Sequence, residues 1–222
     1  MRLIYEKIGL EYEFCENRVF IIDIEKPEAM REFMAQLWNQ VGGATGEIIL
    51  SQNEKELVIS KNILMIMNPF NLDCNEKRLL NKLYTETVQI LNENYSEQVQ
   101  KVNEQVVNLI DTASEKIPYS TTFEVDLNLA DLLKIYGFKL DIEAGNLLEN
   151  IVNYIMVMHR ICGFYICVFN NLKQYFESED LKKLYEFSFY EKVFLIDVEN
   201  NDKCRIPGEY YWILDKDFCI IN

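Results

Sequence analysis

The chain has 222 residues, and its 22 Lys and Arg against 36 Asp and Glu give a net charge of −14 at pH 7. Hydrophobic residues make up 49% of the chain, which excludes a disordered protein. The acidic balance excludes a general nucleic-acid coat, so any DNA-binding surface must concentrate its few positive charges in one place. The single histidine, His159, excludes most multi-histidine metal sites and weakens a serine or cysteine triad.

The cysteines and the hydropathy predict where the protein works. None of the six cysteines forms a CxxC pair, so neither a zinc ribbon nor a thioredoxin-type site is supported. The opening MRLIYEKIGLEYE lacks the apolar core of a signal peptide. No run approaches the roughly 20 apolar residues of a membrane span. We therefore expect a cytoplasmic protein with reduced thiols and no membrane contact.

The first 69 residues are typical of an α/β domain. A short apolar run, RVFIIDIE at 18–25, predicts a buried strand, and a helix with apolar residues at helical spacing follows Pro27. The Gly-rich cluster VGGATG, residues 41–46, predicts a turn. Further strands are predicted in the runs LIYEKIGLEYEF, EIILS, ELVIS and NILMIMN.

A single long helix is predicted after Pro69. Neither Gly nor Pro occurs between Phe70 and Ile117, and apolar residues recur every three or four positions from Leu80 to Ile110. About 38 residues at about 1.5 Å each reach roughly 57 Å. Such a helix is either a protruding arm that serves oligomerisation or one side of an ordinary helical subdomain, and the sequence leaves both open.

The remainder of the chain returns to α/β structure. LADLLKIYGF predicts a short helix that ends near Gly137, and a further apolar helix, opened by Asp141, can pack antiparallel on the long one. Two buried strands, GFYICVFN and KVFLIDVE, enclose a helix that starts at Ser178, and DFCII predicts a last strand. This βαβ order requires a partly parallel sheet.

The predicted domains follow from this order. Residues 1–69 and 163–222 form an α/β head, and residues 70–162 form a helical leg inserted in it.

Three features suggest enzymatic chemistry and are better explained otherwise. In VGGATG, Gly46 is followed by Glu47, whereas a phosphate-binding loop needs a lysine there, so we interpret it as a plain turn. Asp197 ends the strand VFLID, as a magnesium ligand of nucleotide hydrolases does, but without that lysine loop it is interpreted as an ordinary polar strand end. No candidate nucleophile lies near His159, so a structural role is favoured over that of a general base.

Two groups of charged residues are candidates for binding. Glu124, Asp126 and Asp131 supply the oxygen ligands that calcium prefers, although taken alone they fit a solvated acidic connector better. Lys134 and Lys139 bracket the string KIYGFK, so both can project from one end of the short helix.

Several strings resemble the CRISPR-associated Csn-two proteins of type II-A systems. They are LADLLKIYGFKLDIE, the helix that ends VMHR, GFYICVFNNLKQYFESEDLKKLYEF, KVFLIDVE and YYWILDKDFCII. The resemblance is strongest from Phe123 to Ile221 and weaker around NILMIMNPFNLDCN. In the first 60 residues it is mainly a similar order of predicted elements.

The resemblance implies a fold and a function. It implies a P-loop-like α/β head without a working nucleotide site and an inserted long-helix leg. It also implies a homotetrameric ring that threads linear double-stranded DNA by its ends, supported by calcium at carboxylates. By position, Lys134 and Lys139 match the lysines that meet DNA, and Glu124 and Asp126 match the calcium ligands. Pro118 and the Thr and Ser after it replace acidic residues of the family, which puts the number of calcium sites in doubt.

We therefore expect a non-enzymatic, ring-forming DNA-binding protein of CRISPR spacer acquisition, which works beside the CRISPR integrase and the type II effector nuclease and binds no nucleotide. The alternative is a protein-interaction adaptor of the adaptation complex with little DNA binding of its own. A nucleotide hydrolase is disfavoured by the missing lysine loop.

Overall fold

The computed structural model describes residues 1–143, 145–200 and 204–221. The chain divides into two compact units. The head unit comprises Met1–Cys74 and Ile142–Asn222, and the insert unit comprises Asn75–Asp141. The insert is therefore shorter than the predicted leg of 70–162, because the helix before residue 163 belongs to the head unit.

The head unit contains two sheets. The smaller one is antiparallel, in the order β2-β1-β4-β5, and consists of β1 (Arg2–Tyr5), β2 (Leu10–Glu13), β4 (Ile49–Gln52) and β5 (Lys55–Leu57). The larger sheet has the order β10-β9-β3-β8-β7-β6 and consists of β3 (Val19–Ile24), β6 (Ile63–Ile66), β7 (Ile166–Asn170), β8 (Phe194–Glu199), β9 (Glu209–Leu214) and β10 (Ile220–Ile221).

The larger sheet is parallel except at one edge. Strand β3 pairs in parallel with β8 and β9, and β7 pairs in parallel with β6 and β8, whereas β10 runs antiparallel to β9. All six residues of β3 are buried, as expected of a strand covered on both faces. The predicted α/β class with a partly parallel sheet is confirmed. Strand β9, which lies inside the sheet, was not predicted.

Four helices accompany these sheets: α1 (Pro27–Val41), α2 (Ile59–Asn62), α6 (Leu147–Cys162) and α7 (Ser178–Glu191). Helix α2 occupies part of the predicted strand ELVIS, so that prediction was wrong beyond Leu57. Helix α7 connects β7 to β8 as predicted. Helix α6 starts at Leu147 rather than at Asp141, because Asn146 and Glu149 form a reciprocal capping box there.

An aromatic cluster joins the two sheets. The Tyr12 ring of β2 stacks on the Phe20 ring of β3, with 3.6 Å between ring centroids. Phe14 and Tyr210 pack against Tyr12, and Phe33 of α1 is fully buried in the same core. Both halves of the head sequence therefore contribute to one core, which stabilises the two ends of the chain as a single unit.

The insert unit contains three helices, α3 (Lys77–Asn94), α4 (Ser96–Ser114) and α5 (Leu129–Ile135). The prediction of one continuous long helix was wrong, because the backbone leaves the helical region at Tyr95, where φ is −133°. The stretch NENYS around this break is rich in Asn, Tyr and Ser, all weak helix formers. The two pieces of 18 and 19 residues are each about half the length expected.

The two ends of the insert unit are tied together by one side chain. The Asn75 Nδ2 group donates to the Leu140 carbonyl at 3.1 Å, and the Leu140 N–H donates to Asn75 Oδ1 at 2.9 Å. This pair of hydrogen bonds holds the first residue of the insert beside its last residue but one, as an insertion into another domain requires.

Candidate nucleic-acid interface

Helix α5 and the turn after it carry the two predicted DNA-binding lysines. Asn128 caps the helix, since its side chain accepts a hydrogen bond from the Asp131 N–H at 3.1 Å. The helix ends in a tight turn in which the Phe138 N–H donates to the Leu133 carbonyl at 2.9 Å and the Gly137 N–H to the Lys134 carbonyl at 3.0 Å. Gly137 has φ of +62°, a conformation that favours glycine. The turn therefore has a defined backbone shape.

Lys134 lies in the last turn of α5 and forms an ion pair with Asp131, with Nζ 2.8 Å from Oδ1. The hydrogen bond to Asp131 and the charge of that carboxylate raise the pKa of Lys134, so the ammonium is charged at any physiological pH. Both side chains are about half exposed. An exposed pair of this kind contributes little to stability, so a phosphate can replace Asp131 as the partner of Lys134.

Lys139 lies two residues beyond Gly137 and is exposed. Within the part of the chain that the structure describes, Lys139 makes no ion pair. Its full charge is therefore available to a ligand.

Large apolar side chains lie between the two lysines and were not noticed as surface residues in the sequence. Ile135 is 80% exposed and Tyr136 is 81% exposed, and Phe138 is also exposed. The string IYGF could have indicated this exposure. A Gly that ends a helix places its neighbours on a turn rather than on the apolar face of the helix.

The predicted calcium ligands lie in the irregular segment before α5. Glu124 and Asp126 line a cavity of about 180 Å³ in the insert unit, together with Asp131, Asn128 and apolar residues of α4. The Asn103 Nδ2 group holds this segment against α4 by donating to the Val125 carbonyl at 2.9 Å. The structure thus brings together the carboxylates that the sequence singled out.

These carboxylates do not make a complete calcium site on one chain. Glu124 and Asp126 are exposed. No group of three Asp, Glu, His or Cys side chains that could hold a metal ion occurs in residues 1–143, 145–200 and 204–221. Calcium takes six to eight oxygen ligands, and two exposed carboxylates supply only part of that set.

The connection between β3 and α1 lacks the glycines of a phosphate-binding loop. Such a loop connects a strand to the helix that follows it. Here β3 ends at Ile24 and α1 begins at Pro27, and the connection of Glu25 and Lys26 contains no glycine. The VGGATG cluster instead follows α1, where the Gln40 side chain exchanges hydrogen bonds with the Ile48 backbone at 2.8 and 3.0 Å. The cluster is a turn that the hydrogen bonds between Gln40 and Ile48 hold in place.

A buried polar cluster in the head unit was also missed. Lys173 Nζ lies 2.8 Å from Glu209 Oε1, and both side chains are almost fully buried. The Glu209 carboxylate further accepts hydrogen bonds from the hydroxyls of Tyr185 and Tyr211 at 2.7 and 2.8 Å. These partners satisfy a buried charge that would otherwise be costly. Lys173 and Glu209 are 36 positions apart, and no sequence pattern indicated that they pair.

Asp197 belongs to the same region and is not an ordinary polar strand end, since it is 1% exposed. Its Oδ1 atom accepts a hydrogen bond from the Leu172 N–H at 3.1 Å. Burial, followed by the charge of Glu199, raises the pKa of the Asp197 carboxyl well above its usual range.

The other residues considered from the sequence have structural partners. The His159 ring hydrogen-bonds to the Phe164 carbonyl and packs edge-on against Tyr165. All six cysteines are free thiols, but only Cys167 is buried. No helix of the described residues is long and apolar enough to cross a membrane.

Solved structures similar to this chain are distant. A bacterial Atm1-family ABC exporter with ATP bound matches with 9% identity and a TM-score of 0.43, over 93% of this chain and 33% of the exporter. An ATP-binding cassette of an ABC transporter matches with 11% identity and a TM-score of 0.44, over 96% of this chain and 83% of the cassette. A protein from Pyrococcus furiosus assigned as an ABC transporter ATP-binding protein matches with 10% identity and a TM-score of 0.39, over 91% and 88% of the two chains. The chain thus spans about a third of the length of the exporter.

A protein-family model matches far more specifically. The model described as CRISPR-associated protein (Cas_Csn2) matches residues 40–218 of the 222. The match includes the whole insert unit, with Lys134 and Lys139, and most of the head unit. The resemblance stated from the sequence is confirmed, and the chain belongs to the Cas_Csn2 family of CRISPR-associated proteins.

Proposed function

We propose that the chain is a non-enzymatic double-stranded DNA-binding protein that forms a homotetrameric ring around linear DNA and acts in CRISPR spacer acquisition in the cytoplasm. The observation that carries the proposal is that the end of α5 and the turn after it expose Lys134 and Lys139 on a chain of net charge −14. Family membership supplies the CRISPR context.

The charges of the turn suit a ligand of closely spaced phosphates. From Ile117 to Asn146 the chain contains no cation besides Lys134 and Lys139. Two lysines on each of four subunits would present eight positive charges to one duplex. Such contacts carry no base information, so we expect binding that is indifferent to sequence and steeply dependent on salt. The acidic remainder of the protein repels DNA from other surfaces.

The proposal assigns no catalytic step to the head unit. The glycine-free connection between β3 and α1 supports this, because a nucleotide hydrolase needs a phosphate cradle at that place. We expect calorimetry to detect no ATP binding, and micromolar binding would contradict this part of the proposal.

The proposed partners besides DNA are other subunits of the ring, the CRISPR integrase and the type II effector nuclease. Calcium binding through Glu124 and Asp126 stays a prediction, since one chain supplies only part of a calcium ligand set.

A second candidate is an adaptor that binds proteins of the adaptation complex and little DNA. The net charge of −14 favours it, and so do the exposed apolar residues of α4, among them Val102 and Leu109. The two candidates differ in whether Lys134 and Lys139 meet DNA.

A mobility-shift assay on linear duplex at two salt concentrations tests the proposal. The double variant Lys134→Glu/Lys139→Glu should lose binding while its oligomeric state stays unchanged, because neither residue belongs to the apolar stripe. The matched control Lys101→Glu/Lys116→Glu changes the charge of the same unit equally and should bind as the wild type does. If the Lys134/Lys139 variant binds with the wild-type salt dependence, the positive lining lies elsewhere, and Lys182, Lys183 and Lys192 are next. A wild-type protein that binds no duplex would favour the adaptor.

A further inference from the structure

The turn after α5 exposes an aromatic ring. The proposed contacts of Lys134 and Lys139 with DNA phosphates give no reason for its exposure. Tyr136 and Ile135 are each about four-fifths exposed, although both are large and partly or wholly apolar. Lys134 and Lys139 stand on either side of them in the chain. Exposed apolar side chains that are rimmed by charge mark a contact surface.

The backbone around this ring is already ordered. The N–H groups of Tyr136, Gly137 and Phe138 all donate to carbonyls of α5, at 2.9 to 3.1 Å. Because the turn is already ordered, binding costs little backbone entropy. The free energy of a contact made by its side chains therefore contributes to affinity.

The size of the tip argues against a second copy of this chain as the occupant. A stable protein interface buries about 800 Å² on each partner. The aromatic side chains Tyr136 and Phe138 bury about 150–250 Å² each when fully covered, and Phe138 is only 41% exposed, so the two rings supply less than half of that area. The exposed apolar residues of α4 offer a longer surface for a protein partner.

Resting on the proposed function, we infer that Tyr136 stacks on an unpaired base of the bound DNA, with Lys134 and Lys139 on the phosphates beside that base. An aromatic ring between cations is the arrangement that binds single-stranded nucleic acid, because every base has a flat face. Inside an intact duplex those faces are covered by neighbouring base pairs, and only the outer face of each terminal pair is open, whereas a single-stranded extension offers the faces of several bases. The preferred substrate is therefore a duplex with a single-stranded extension.

Fluorescence anisotropy with a blunt duplex and the same duplex with a short single-stranded extension tests this inference. The wild type should bind the extended duplex at least about fivefold more tightly than the blunt one. Tyr136→Ala should remove that advantage without changing the salt dependence, and Tyr136→Phe, which retains the ring, should keep it. Tyr190→Ala is the control, since Tyr190 is equally exposed but lies beside Glu191 in the head unit.

The other outcomes separate two kinds of failure. Equal binding of the two duplexes by the wild type would overturn the stacking inference and leave the DNA-binding proposal standing. Absence of binding to either duplex would overturn the proposed function itself. Dissociation of the oligomer by Tyr136→Ala in light scattering would show that the tip contacts a subunit, and would also overturn the inference.

Discussion

The two units of the chain are stabilised in different ways. The head unit buries two sheets and the helices around them in one apolar core, and it encloses an ion pair between Lys173 and Glu209. Among the described residues of the insert unit, only Leu79, Tyr84 and Leu129 are buried, and α4 buries none of its 19 residues. The head is therefore stabilised by its own packing, whereas the insert exposes apolar and charged side chains that are suited to partners.

The largest expected effect comes from breaking the buried ion pair of the head unit. Lys173→Met leaves the Glu209 carboxylate buried without its cation, which should lower the free energy of unfolding by about 3–5 kcal/mol. Thermal unfolding followed by circular dichroism measures the loss. The control is Lys183→Met, which removes an exposed pair with Asp180 and should leave the free energy of unfolding almost unchanged. Equal effects of the two variants would contradict the contrast between a packed interior and a solvated surface.

A change on α4 should affect assembly rather than the folding of a subunit. Val102→Asp/Leu109→Asp places acids on exposed apolar positions and should weaken association of subunits by about 2–4 kcal/mol. Light scattering should then show species smaller than the tetramer proposed for the wild type, while Tyr190→Asp in the head unit should leave the wild-type oligomeric state unchanged. A wild type that is a stable monomer, with calcium and without it, would refute the assembly prediction.

Calcium should stabilise the insert unit if Glu124 and Asp126 help to bind it. Calcium at a hundredfold excess over Kd adds about 2.7 kcal/mol to the free energy of unfolding, and a chelator should remove this gain and loosen the ring. Glu124→Ala/Asp126→Ala should reproduce the effect of the chelator, whereas Glu86→Ala/Asp111→Ala, which removes the same charge, should not. If the chelator changes neither the oligomeric state nor the melting temperature, calcium has no role in the assembly.

The smallest expected effect concerns pH and Asp197. Since burial raises the pKa of this carboxyl above its value in the unfolded chain, the folded state holds a proton that the unfolded state releases. This contribution to stability is complete below the unfolded pKa and is lost as the pH rises through the folded pKa. Asp197→Asn cannot ionise and keeps an oxygen for the Leu172 N–H, so its melting temperature should rise relative to the wild type as the pH increases.

The matched control for that titration is Asp217→Asn, which changes an exposed carboxyl. Its melting temperature should follow the wild type across the same pH range. Parallel pH profiles for Asp197→Asn and the wild type would show that Asp197 titrates alike in the folded and unfolded states.

The sequence predicted most of the head unit because its strands are short apolar runs between turn residues. The runs that became β3, β7 and β8 are buried on both faces, so hydrophobicity alone locates them. Strand β9 was missed because four of its six residues are only partly buried, and because its apolar and polar residues do not alternate. The pair of Lys173 and Glu209 could not be predicted, since only the folded sheet brings these distant residues together.

The insert unit was predicted less well because its pattern is periodic without being buried. The stripe from Leu80 to Ile110 located helical residues correctly but carried no sign of the break at Tyr95, which depends on a few weak helix formers. The candidate site was located by Lys134 and Lys139, but the exposure of Tyr136 followed only from the turn at Gly137.

Whether subunits close around linear duplex, as proposed, is tested by comparing linear DNA with the same DNA as a covalently closed circle. Both forms present identical phosphates, so a surface that binds from outside retains both equally. A threading ring should bind the linear form and leave the closed circle unbound at every salt concentration. Equal binding of the two forms, by a protein whose Lys134→Glu/Lys139→Glu variant binds neither, would contradict the ring while retaining the DNA-binding site.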